Sequence, residues 1–168
     1  MKLTDVILAE LKQESEYTRR ALELVPDGKS DWTPHPKSMH FGRLAHMVAT
    51  MPSWIAMIVN LNEVDVSPKG GPGNGAIQNM NAAALVKTLD DAIEAALQAV
   101  SSSTDEHLET PWKILAGGTI LVEKARYLCM LDIFKHIAHH RGQLTVYLRM
   151  TGAQVPAIYG PSADDPRF

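Results

Sequence analysis

The sequence predicts an all-α protein built as a helix bundle. Three observations carry that reading. Four long stretches repeat apolar residues in alternating three- and four-residue steps. No stretch shows the sustained strict alternation of a regular strand. The connections between the helical stretches are long and unequal. Short loops favour a simple up-down-up-down bundle, whereas long ones permit crossovers, so pattern alone leaves the topology open.

The first helix is expected from about Thr4 to Val25, with Leu8, Leu11, Ser15, Thr18, Leu22 and Val25 along its inward stripe. Ser15 and Thr18 are polar and sit mid-stripe. Either their hydroxyls bond back to the preceding turn, or the helix faces something polar halfway along. Pro26, Asp27 and Gly28 end it. A loop punctuated by Pro34 and Pro36 follows. Ser38 is the expected N-cap of a second helix reaching to about Leu61. Its stripe is Phe41, Leu44, Val48, Met51, Ile55 and Ile58, and Pro52 should kink it or force a rearrangement. Residues 62–78 read as a mobile surface loop. Their GPGNGA is a poor dinucleotide fingerprint, because no buried strand precedes it and no helix starts in the right place.

A third helix runs from about Asn81 to Val100 on Leu85, Leu89, Ile93, Ala96, Leu97 and Val100. PWKILAGGTIL, residues 111–121, has a Gly-Gly between short apolar runs, which suggests a hairpin-like turn or an irregular crossover. The fourth helix is expected from about Val122 to Met150, with Gly152 as its C-terminal stop. The tail beyond is rich in Pro and Gly and should be extended. The pattern gives a single domain with no internal repeat.

Composition narrows the function. The 168 residues are 45% apolar with a formal net charge of −3. That balance suits a soluble globular chain, without the basic footprint of a nucleic-acid binder. The apolar runs fall short of a membrane span, and the N-terminus reads as a helix rather than a signal peptide. Cys129 is the one cysteine. No internal disulfide can form, which fits a cytoplasmic setting.

The chemistry concentrates in HIAHHRGQLTVYLR, residues 136–149. Each helical residue advances about 100°, so His136 and His140 share a face one turn apart. That spacing lets two imidazoles hold one metal ion. It also arises by chance, with histidines that only make hydrogen bonds. His139 points about 60° away on the same wheel and cannot be equivalent. Cys129, Gln143 and Tyr147 lie near the direction of the pair, and Ile133, Ile137 and Leu144 lie alongside. The pair should therefore sit at the edge of the buried face.

Two histidines do not complete a shell, since catalytic sites usually keep three protein ligands and an open position. His46 is the best third candidate, with Gly42 and Thr50 leaving room beside it. His35 and His40 read as solvent-facing or capping, and His107 as exposed. Gln143 could orient a water or substrate, or hydrogen-bond a ligand histidine from behind. Glu14 and Thr18 could line the same pocket. Cys129 reads as a small core residue, and Tyr147 as closing the pocket or simply packing. His139 and Arg141 lie off the metal face, where they could meet the tail, a neighbouring chain or an acidic group. Ile137 follows the first histidine where metalloprotease helices place a glutamate base.

The segment HIAHHRGQLTVYLRMTGAQVPAIYGPSADD closely resembles the C-terminal signature of the DinB-like family, also described as YfiT-like metal-dependent hydrolases. PDGKSDWTPHPKSMHFGRLAHM, residues 26–47, resembles the family's other marked region, which ends in Leu-Ala-His. The resemblance implies a four-helix bundle, up-down-down-up, with two long crossovers. It implies a nickel or zinc site with one ligand from the second helix and two from the fourth: His46, His136 and His140. It also implies a hydrolase, or a transferase using a low-molecular-weight thiol on a small-molecule substrate, in a homodimer. A metal- or ligand-binding stress protein without catalysis is the alternative.

Overall fold

The computed structural model describes residues 2–68 and 79–167. It is mostly helical, with six helices and a small sheet among those residues: α1 Leu3–Leu22, α2 Phe41–Thr50, α3 Ser53–Asn60, β1 Glu63–Asp65, α4 Ala82–Ser101, α5 Asp105–Glu109, β2 Pro111–Ala116, β3 Thr119–Ala125 and α6 Arg126–Met150. The all-α expectation needs correcting. Four helical arms are present, but the second is broken in two, a short α5 is added, and three strands pair in the order β1-β2-β3. The GPGNGA stretch lies outside the described residues.

Local chemistry explains most boundaries. Asp105 caps α1 from a distance, accepting from the amides of Leu3 and Thr4 at 2.9 and 3.0 Å. A carboxylate there satisfies donors that the first helical turn leaves unpaired. Ser38 is not the cap of α2. The helix starts at Phe41, and its first donors go to the loop instead: Phe41 N–H to Trp32 O at 2.8 Å and Gly42 N–H to Ser30 O at 3.0 Å. Pro52 splits the second arm into α2 and α3. Hydroxyls patch the carbonyls around the break, with Thr50 Oγ1 donating to His46 O and Ser53 Oγ to Thr50 O. Asn81 caps α4 through its side chain, as its position predicts.

The fourth arm starts later than periodicity suggests, because residues 119–125 pair antiparallel with 111–116. Gly117 and Gly118 both have positive φ, as a two-residue hairpin turn of the primed type requires. The carboxylate of Asp65 accepts from both of their amides. At the other end of α6, Gly152 has φ +83°. Its N–H reaches Arg149 O and that of Ala153 reaches Leu148 O, the two bonds of a Schellman stop.

Two apolar clusters fill the bundle. One gathers Ile7, Leu11, Ile55, Ile58, Trp112, Met130, Ile133 and Ile137. The other gathers Leu22, Phe41, Leu44, Leu85, Leu89, Leu144 and Leu148. Burying such a side chain fully contributes about 1.5–3 kcal/mol. Along α1 and α6 the clusters are separated by buried polar residues, Glu14, Ser15 and Thr18 on one helix and Arg141 on the other. Both readings of the polar mid-stripe therefore hold. Ser15 and Thr18 donate back to Leu11 O and Glu14 O, and Thr18 also faces a charged partner across the interface.

A second buried arginine ties the sheet to the bundle. Arg126 donates to the closing carbonyls of the second arm, Ile58 O and Leu61 O, and to Asn62 Oδ1 at 2.9 Å. A cation at a helix C-terminus also complements the helix dipole. His107 is half-buried rather than exposed, with Nε2 2.9 Å from Val59 O at the same helix end.

Candidate functional site

One helix presents most of the site. α6 places His136 and His140 one turn apart, with their Nε2 atoms 2.9 Å from each other and ring centroids at 4.7 Å. Gln143, a turn further on, sets its Oε1 2.7 Å from His140 Nδ1. Its amide nitrogen lies 3.2 Å from His139 Nε2. These contacts form one self-consistent directional chain. In one set of tautomers that satisfies all three contacts, His136 Nε2–H donates to His140 Nε2, His140 Nδ1–H to Gln143 Oε1, and the Gln143 amide to His139 Nε2.

The chain assigns each group a state. A His140 that donates through Nδ1 carries its lone pair on Nε2, where it accepts from His136 in this arrangement and would be the atom offered to a metal. Partial desolvation, followed by the nearby His140 and His139, holds His136 below the ordinary imidazole range. That favours its neutral form. His139 is not simply turned away, because Gln143 joins it to the pair from the exposed side. His136 itself is exposed and His140 half-buried, so the pair is more open to solvent than the edge of a buried face.

His46 lies half-buried on α2, which packs against α6. Among the described residues no group of three or more His, Cys, Asp or Glu side chains is placed to hold a metal ion. The structure thus brings together His136, His140, Gln143 and His139.

Arg141 follows His140 but turns inward, only 1% exposed. Its Nη2 sits 2.8 Å from Glu14 Oε2, and its Nη1 donates to Glu14 O and Thr18 Oγ1, both at 3.1 Å. Tyr159 of the tail accepts from Arg141 and donates to the Glu14 carboxylate at 2.9 Å. Glu14 and Thr18 therefore serve this network rather than the histidine face. Arg149 pairs with Asp164 at 2.6 Å, pinning the tail again further on. Tyr147 packs edge-on against Trp32 and Phe41 and donates to Met39 O, which places it in the second apolar cluster.

Beside His136 opens a pocket of about 390 Å³ that residue-type reasoning missed. Trp54 and Ile58 of α3, Trp112 and Ile114 of β2, and Cys129 and Ile133 of α6 make its wall. A signal was present in the sequence. Trp112 and Ile114 are two apart and face one side of a strand, and Val122 lies opposite Ile114. Cys129 is buried, and desolvation raises its thiol pKa. Its proton stays on, so it is a wall residue rather than a nucleophile.

A chain of this fold, with paired helical histidines, falls in a class that comparison identifies. The DinB family model matches residues 1–167, and the protein belongs to that family. A DinB-like protein from Bacillus cereus ATCC 10987 shares the fold with a TM-score of 0.67 at 22% identity, over 91% of this chain and 95% of that one. The DinB-like protein YjoA of Bacillus subtilis gives 0.66 at 18% identity, over 90% and 96%. The uncharacterized protein YrdA of Bacillus subtilis strain 168 is 44% identical over 36 residues, which is 21% of this chain and 22% of YrdA. Among the described residues no helix is long and apolar enough to cross a membrane.

Proposed function

We propose that this protein is a metal-dependent enzyme acting on a small molecule, with His46, His136 and His140 holding a divalent ion such as nickel or zinc. The observation that carries the reading is the convergence of His136 Nε2 and His140 Nε2 at 2.9 Å. Gln143 supports it by fixing the His140 tautomer from behind. His46 joins in this reading from α2, which packs against α6. A bound divalent ion would supply either an acidified water for hydrolysis or a binding point for a thiolate. The protein's own residues keep Gln143 against His140 and offer an apolar wall next to His136. A low-molecular-weight thiol as co-substrate, a cytoplasmic location and a homodimer belong to the same reading.

The second reading is a metal- or ligand-binding protein without catalysis. It is favoured by the missing base: Ile137, 1% exposed, occupies the position after His136, and no carboxylate joins the pair in a ligand-like group among the described residues.

Metal analysis of purified protein tests the shared premise. The expected result is a stoichiometric divalent ion that is lost in His136→Ala and in His140→Ala. Metal absent from wild type, or retained in both variants, overturns the assignment. Turnover of small thiols with electrophiles, or of hydrolysable esters and amides, then separates the enzyme from the binding protein.

A further inference from the structure

We infer that the pocket between α3, the sheet and α6 holds the aromatic body of a small-molecule substrate, with its reacting end at His136. The placement of that end rests on the metal-centre reading above; the aromatic occupant does not.

Size and shape come first. A concavity of about 390 Å³ lies in the range that binds small molecules, roughly 300–1,000 Å³. It is a recess between α3, the sheet and α6. Its chemistry comes second. Trp54 and Trp112 contribute two indoles to the lining, together with Ile58, Ile114 and Ile133. Indoles favour aromatic guests through edge-on and offset contacts beyond simple burial. The charged residues on the wall are Lys124 and Asp132, and these pair with each other. The wall therefore offers no free charge to select an ionic body. Cys129 remains a thiol, so the wall does no chemistry of its own. Polarity enters at His136, which ends the α6 stripe Cys129, Ile133, His136 that lines the pocket. A guest seated on the indoles thus meets the imidazole pair at the His136 end of the pocket.

The test uses the full chain, stripped of metal, and anilinonaphthalenesulfonate fluorescence displaced by naphthol or by hexanol. Naphthol is expected to displace the dye at lower concentration than hexanol. Val122→Trp, which fills the pocket, is expected to weaken dye and naphthol binding about tenfold or more. Trp54→Leu, which keeps apolar bulk but removes an indole, should weaken naphthol more than hexanol. Its folding is checked by thermal melting in case Val122→Trp does not fold. Ile120→Ser, on the same hairpin but off the pocket, should bind as wild type. Unsaturable dye binding, equal displacement by hexanol, or unchanged binding in both pocket variants overturns the proposal. Metal binding without dye binding sinks the pocket and leaves the metal reading standing. Dye binding that responds to these variants, in a chain that binds no metal, does the reverse.

Discussion

His140 and Arg141 are neighbours in sequence and opposites in structure. His140 is half-buried on an open face, with its ring held by one glutamine and one other imidazole. Arg141 is sealed between α1, α6 and the tail, with carboxylate, hydroxyl, carbonyl and phenol acceptors around its guanidinium. The difference separates two uses of polar groups on one helix. A buried charge with satisfied partners locks a packing arrangement, because removing a partner leaves the other uncompensated. A cluster of imidazoles in reach of solvent contributes little to folding and is available for binding.

The largest effect expected from this contrast is on the closed side. Arg141→Ala strands the buried Glu14 carboxylate, and chemical denaturation should show a loss of about 3–5 kcal/mol. Tyr159→Phe keeps the ring over Arg141 but removes the phenol from the network, and the expected loss is about 1–2 kcal/mol. The histidine face should behave differently. His136→Ala and His140→Ala in metal-free protein are expected to stay within about 0.5 kcal/mol of wild type. A loss comparable to that of Arg141→Ala would erase the distinction.

The smallest effect is a pH dependence. His136 is held below its ordinary range by burial and by its histidine neighbours. The unfolded chain takes up a proton there before the folded one, so stability is full above the ordinary imidazole pKa and declines as pH falls below about 6.5. His136→Gln should flatten that decline in denaturation curves across this window. A wild-type curve with no loss on acidification through it would show that the imidazole is not desolvated.

Much of the helical frame was legible in the sequence. The α2–α3 stripe Phe41, Leu44, Val48, Met51, Ile55 and Ile58 is buried along its whole length, and Pro52 breaks it where expected. The sheet was less legible. Its strands are short, β3 bulges at Leu121 where the register steps from Ile114↔Val122 to Leu115↔Ile120, and it exposes Ile120 and Leu121, so alternation is blurred. The helical pattern of α6 was consequently extended four residues too early. At the site, spacing placed His136 and His140 on one face. It could not show that Arg141 turns inward, because an arginine in a pattern reads as solvated until its partners on other elements are known. Those partners, Glu14 and Tyr159, lie at opposite ends of the chain. The position of His46 relative to the pair depends on how α2 packs on α6, which no local pattern encodes.

The central claim is that two imidazoles of α6 and one of α2 can hold a single ion. X-ray absorption on nickel-loaded protein tests it most directly, by counting imidazole ligands around the metal. The account predicts one ion per chain with three imidazoles, falling to two in His46→Ala. A bound ion with no imidazole scattering, or an unchanged count in His46→Ala, His136→Ala and His140→Ala alike, would contradict it.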